Sequence, residues 1–283
     1  MYLLHVVKLV RRHKLAFVFA LATGLVLVAF GLYHGTMPKV IAYLSTLVAC
    51  FLVSEFIHYH GKIKLDAWRI DRPHMELKVV LICELIVVLL LSWWFVLANP
   101  QSMTPPLKLA ILVIRLLFAF PIFFLIYFLA VRKYSLAQLG FRFKYWFVSI
   151  PLIVIIGGVS YMGFPEGIQF EDMLEEHGYL AFLTLGFLTA AIPEEITRHL
   201  FQSRLSVVMK SKSFGWFFAS LVWALLHIPS FGNSSGDYVS ASLSAIGILP
   251  IGLFWGYLNQ RHRSIIPSIL IHGTNLWGLQ NIF

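Results

Sequence analysis

Two adjacent carboxylates, Glu194 and Glu195, are followed within one helical turn by Arg198 and His199, in the stretch Ile192-Pro-Glu-Glu-Ile-Thr-Arg-His199. A base that takes a proton from water, groups that orient it and donors that receive an oxyanion are the parts of acyl transfer to water. Two later points offer the remaining parts: His227, in Trp223-Ala-Leu-Leu-His227, and His272 with Asn275, in His272-Gly-Thr-Asn275. Each interrupts an otherwise apolar run. An ionisable group costs roughly 2.5–3.5 kcal/mol at the centre of a membrane helix on insertion scales, so two in succession mark a functional site by default. On a regular helix Glu194 meets Arg198, and Glu195 meets His199, at a spacing of four. The plainer reading makes Glu194 and Arg198 an ion pair at a membrane boundary, and each His a polar contact between helices. Taken jointly, the groups make a hydrolytic centre spread over three successive segments.

Those segments belong to a chain whose composition fixes its class. Hydrophobic residues make up 59% and charged residues 12%, against about 25% charged in soluble proteins. The expectation is an all-α, polytopic transmembrane bundle. Apolar runs of about 20 residues, long enough to span, fall at 15–33, 40–59, 79–98, 109–131, 145–163, 179–203, 214–231, 240–258 and 264–283, nine in all. Lys and Arg concentrate at the N-terminus and near 60–78, 132–144, 204–212 and 261–263, whereas the 164–178 loop is acidic. The positive-inside rule then puts the N-terminus in the cytoplasm and the C-terminus outside. The net charge of +9 is dispersed between spans, so topology explains it better than nucleic acid does. Glu55 and Glu84, near cytoplasmic span ends, and Arg115 read as structural. Cys50 and Cys83 lie in apolar runs and offer neither a disulfide framework nor a paired-cysteine metal site. Tyr134–Lys144 reads as a short interfacial helix dividing four spans (1–133) from five (134–283).

The motifs resemble those of the CPBP intramembrane glutamic proteases, which include CAAX-processing enzymes and bacterial bacteriocin-processing or abortive-infection-like relatives. That family carries EExxxR, FxxxH and HxxxN or HxxxD on successive helices. The likeness runs from about Ser135 to Asn281 and takes in Leu136-Ala-Gln-Leu-Gly-Phe141, Gln202-Ser-Arg-Leu205 and Gly256-Tyr-Leu-Asn-Gln-Arg-His-Arg-Ser-Ile-Ile-Pro267. Here the first and last motifs are each one residue short, and Trp223 replaces the usual Phe. Counting forward, Glu194 is the family's first Glu; counting back from Arg198 it is the second, with Pro193 in the first place. The resemblance implies Glu194 as the base, Glu195 and Arg198 in support, His227 positioning water, and His272 with Asn275 stabilising an oxyanion. It gives His199 no role, which leaves it a lipid-interface or capping residue.

The resemblance also implies a metal-independent endopeptidase without cofactor, multi-pass in the bacterial cytoplasmic membrane. Its partners would be membrane lipid and a lipidated or membrane-associated substrate, cut in a C-terminal tail or leader peptide. The shortened motifs leave open a catalytically inactive member acting as an immunity or scaffold protein. Glu194, His227 and His272 have a metal-like inventory but lack compact zinc spacings, and a transporter would show paired broken-helix repeats. Depth sets a further condition. Counted from Tyr179, Glu194 lies on the order of 22 Å below the outer face, whereas His227 counted from Ser213 lies about 9 Å below it. Stagger or tilt must absorb about 13 Å for them to meet.

Overall fold

The computed structural model describes residues 2–61, 68, 70–93, 104, 106, 122–163 and 186–275. Every regular element among them is helical. An amphipathic helix α1 (Tyr2–Arg12) leads into α2 (Lys14–His34) and α3 (Met37–His60). Gly35 ends α2 at φ 69°, the left-handed conformation that closes a helix C-terminus, and Pro38 opens α3 in its first turn, so the pair forms a tight hairpin. Then come α4 (Pro73–Ser92), the short α5 (Ile122–Ile126) and α6 (Ser149–Gly163). The C-terminal half holds α7 (Ile192–Val208), α8 (Lys212–Leu225), α9 (Ile228–Ser235), α10 (Tyr238–His262) and α11 (Ile266–Asn275). Ser211 caps α8 by accepting from the Phe214 amide at 3.2 Å, and Asp237 caps α10 by accepting from Val239 and Ser240.

Among the described residues, five helical stretches are long and apolar enough to cross a membrane, where nine were expected: Lys14–His34, Met37–His60, Phe143–Ser160, Lys212–Asn233 and Tyr238–His262. Most of 109–131, with Arg115, lies outside the described residues, as do the acidic 164–178 loop and the end of 264–283. The described part of 179–203 differs from expectation for a physical reason. A wide, π-type turn over Gly186–Ala191 gives way to α7, which continues to Val208 and carries polar groups on a largely buried surface. It is enclosed by protein rather than by lipid.

Helices α7, α8 and α10 pack on one another, with α4 against α7, α2 against α8 and α10, and α3 against α2 and α10. Glycines permit the close approach. A Cβ at Gly252 would stand 2.5 Å from the Trp223 ring, and one at Gly215 would stand 2.7 Å from the Ser206 backbone nitrogen. Pro250 interrupts α10, and the buried Tyr43 hydroxyl of α3 fills the break. It accepts from Ile251 N–H at 3.1 Å and donates to the Gly247 carbonyl at 3.2 Å, two groups that would otherwise bond each other in an unbroken helix.

The basic segments gather at one end of the bundle. Buried Glu55 accepts from Arg261 (2.6 Å) and the Tyr257 hydroxyl and contacts His5 at 2.9 Å. Buried Glu76 holds Arg204 (3.1 Å), Arg132 (3.2 Å) and Tyr134 (2.7 Å). Both carboxylates tie elements together, as read for Glu55. Glu84 is likewise buried, and its Oε2 lacks a partner among the described residues. The stretch 134–144 is not a helix: it turns at Gly140, φ 94°, and enters a 3-10 turn over Phe143–Val148. The cause is close packing, because a Cβ at Gly140 would meet His199 Nε2 at 2.8 Å. His199 is thus buried under that turn, not at a lipid interface.

Candidate active site

Pro193 lies in the first turn of α7, where the chain passes from the wide turn over Gly186–Ala191 into the α-helix, and Glu194 and Glu195 follow it directly. Successive residues point about 100° apart around a helix, and this separates the two carboxylates. Glu195 is fully buried and saturated. Its Oε1 accepts from Arg198 at 2.5 Å and from His272 Nδ1 at 3.0 Å, and its Oε2 accepts from Asn259 Nδ2 at 2.9 Å. Glu194 keeps 27% of its side chain exposed. Its Oε2 accepts from the Trp223 indole at 2.5 Å and lies 3.7 Å from His272 Nε2. Its other oxygen has no hydrogen-bond partner among the described residues.

Arg198 therefore pairs with Glu195 at a spacing of three, not with Glu194 at four as the helical spacing led us to expect. Its second nitrogen donates to the Gly252 carbonyl at 3.0 Å, and its guanidinium lies 4.5 Å from the Trp223 ring centroid. His272, 5% exposed, stacks on Trp255 at 5.6 Å and meets the edge of Trp223 at 6.1 Å. Gly273 beside it lets α11 approach the wide turn before α7, since a Cβ there would stand 2.4 Å from Phe187. Because carboxylate oxygens only accept, His272 Nδ1 carries the proton toward Glu195.

His227 closes the end of α8, its ring 4.7 Å from that of Trp223. Its Nδ1 is 2.9 Å from the Trp223 carbonyl, an acceptor, so Nδ1 carries hydrogen and Nε2 of the neutral ring is left as an acceptor. Glu194, Glu195, Arg198 and His272 thus form one connected cluster, and Trp223 joins His227 to it. Asn275 is the last residue of α11, and its side chain lies outside the described residues.

The depth conflict disappears because α7 and α8 form an antiparallel pair about the 209–211 turn. Glu194 is 14 residues before Val208 and Trp223 is 11 after Lys212, so they stand about 21 and 17 Å from that turn. The expected offset came from counting Glu194 down from an outer face placed at Tyr179 and His227 up from an inner face placed at Ser213.

Asn259 and Trp223 are groups whose polar reach the motifs did not reveal. Asn259 is fully buried, gives its amide to Glu195 and accepts from the Ser268 hydroxyl at 2.5 Å. An amide within the apolar stretch of α10 was the available signal. Chemically, the arrangement offers one carboxylate locked into an ionic cluster, a second with an open oxygen, and two imidazoles on either side of an indole. Among the described residues, no three His, Cys, Asp or Glu side chains are grouped as metal ligands would be.

Residues 176–277 match the family model described as Rce1-like, type II CAAX prenyl endopeptidase. That segment contains all six residues singled out from the motifs. No curated protein and no solved structure matches the chain.

Proposed function

We propose that this protein, whose residues 176–277 match the Rce1-like model, is a membrane protease of the CPBP/CAAX kind that hydrolyses a peptide bond with Glu194 as its general base, acting without a metal on a lipidated or membrane-associated substrate. The observation that carries the reading is the unequal treatment of the two carboxylates. Glu195 is committed to Arg198, His272 and Asn259, whereas one oxygen of Glu194 has no partner among the described residues. Water bound between that oxygen and His227 Nε2 loses a proton to Glu194 as its oxygen attacks the scissile carbonyl. The carbonyl becomes a tetrahedral oxyanion, and His272, with Asn275 beside it on α11, faces the developing charge. Glu195 accepts from His272 Nδ1–H and so orients the ring, and a hydrogen on Nε2 would serve the oxyanion as donor. Glu194 then returns its proton to the leaving amine, the C–N bond breaks, and the products are a carboxylate and an amine.

In this reading 134–283 is the protease core, and the basic end of the bundle faces the cytoplasm, as the charge of the loops supports. The test uses purified full-length protein in lipid, with lipidated peptides ending in CAAX-type tails and with unlipidated leader peptides. Glu194→Gln should lower cleavage by about 10²–10⁴-fold, the usual worth of a general base, with folding intact. Chelator should leave the rate unchanged. Full activity in Glu194→Gln would refute the base assignment, and chelator-sensitive cleavage would point to a metalloenzyme. A folded wild type that cuts none of these peptides would favour an inactive scaffold.

A further inference from the structure

A groove of about 430 Å³ runs between α2, α3, α8 and α10, lined by apolar side chains that include Leu21, Leu25, Val28, Val48 and Phe51. A smaller cavity of about 170 Å³ opens at the basic end of the bundle, where Arg12, His13, Lys212, Arg261 and Arg263 line it. Trp216 and Tyr257 belong to both walls, so the two spaces adjoin. One is apolar and the other cationic.

The smaller cavity is cationic, and two of its basic side chains lack a carboxylate partner among the described residues. Among the described residues, four Lys or Arg side chains line it and no Asp or Glu does. Arg261 is engaged by Glu55, but among the described residues no carboxylate pairs with Arg12 or Lys212. His13 registers the resulting field: burial first, then Arg12, Lys212 and Arg261, lower its pKa to about 4, against a smaller opposing effect of Glu55. Along α2 the groove extends from Phe17 to Val28, about 17 Å at 1.5 Å per residue. That is close to one leaflet of a roughly 30 Å hydrocarbon core. None of the residues placed at the candidate active site lines either cavity.

We propose that the adjoining cavities form a site for one anionic phospholipid, with its phosphate held by Arg12 and Lys212 and one acyl chain lying in the groove between α2 and α3. Arginine and lysine at the head recognise phosphate by charge-assisted hydrogen bonds, and a chain combined with a basic patch gives the two-part attachment that stable lipid binding requires. The amphipathic α1 delivers Arg12 to the rim, so the lipid would fasten α1 to the bundle.

Native mass spectrometry of the full-length protein in non-ionic detergent tests this, titrating phosphatidylglycerol, phosphatidylcholine with the same chains, and soluble glycerol phosphate. A single phosphatidylglycerol adduct should form at a concentration at least ten-fold below that needed for phosphatidylcholine, with glycerol phosphate not bound in that range. The double variant Arg12→Gln/Lys212→Gln, at two exposed positions, should abolish the preference and leave phosphatidylcholine binding as it was. Gly24→Phe should weaken both lipids, since Gly24 lines the groove and a Cβ there meets Leu44 only at an ordinary 3.8 Å. Equal binding of the two lipids, or an unchanged preference in the double variant, would overturn the site. Glycerol phosphate binding as tightly as phosphatidylglycerol would overturn the role of the chain.

Discussion

At the scale of residues, the neighbouring carboxylates differ in what their removal should do. Glu195→Gln takes one charge out of a fully buried pair and leaves the Arg198 guanidinium without its counter-ion. Breaking such a pair from one side costs about 3–5 kcal/mol. Glu194→Gln keeps an oxygen for the Trp223 indole and leaves a half-exposed side chain neutral, so its stability should stay within about 1 kcal/mol of wild type. Denaturant unfolding of both variants, set beside their activities, separates the roles: Glu195→Gln unstable, Glu194→Gln stable and inactive. Equal stability in the two would contradict the division of labour. The sequence made this carboxylate pair conspicuous, because two charges in an apolar run are costly anywhere in a membrane. It did not tell which of the two Arg198 would take. That choice depends on Asn259 and His272, which reach Glu195 across 64 and 77 positions, and periodicity along one helix carries no information about them.

Among the helices, α10 depends on a side chain from α3. Tyr43→Phe would leave Ile251 N–H and the Gly247 carbonyl to close a broken turn unaided. A buried polar group without its partner costs about 1–3 kcal/mol, so destabilisation of that size is expected. The cycle with Pro250→Ala makes the test specific. With proline gone, the turn can close on itself, and Tyr43→Phe should cost less in that background. Equal cost in both would mean that the hydroxyl does not serve the break. The five long apolar helices were legible because lipid imposes one uniform demand on their composition. Helix α7 and the 134–144 turn were not, since their surroundings are protein. A polar helix wrapped by α4, α8 and α10, and a turn held against His199, answer to partners far away in sequence.

Over the whole molecule, the basic segments gather at one end while Glu194 and Trp223 stand about 17–21 Å from the 209–211 turn there. The helix that bridges this distance is α7, with Glu194, Glu195, Arg198, His199, Gln202 and Arg204 within three turns. Its character bears on biogenesis. Charged residues near a helix centre each cost about 2.5–3.5 kcal/mol during insertion, so α7 cannot partition into the bilayer by its own composition. It must be retained until α8 and α10, which supply Trp223, Gly252 and Asn259, have emerged from the ribosome. Membrane-inserted chains released after residue 211 should therefore leave 192–208 accessible to a water-soluble cysteine reagent at an introduced Thr197→Cys, whereas released chains extended through His262 should protect it. Protection already complete in the shorter chain would mean that α7 enters alone. Protection that waits for α10 would make the polar contacts at the candidate site an assembly checkpoint as well, completed only once α8 and α10 have been made.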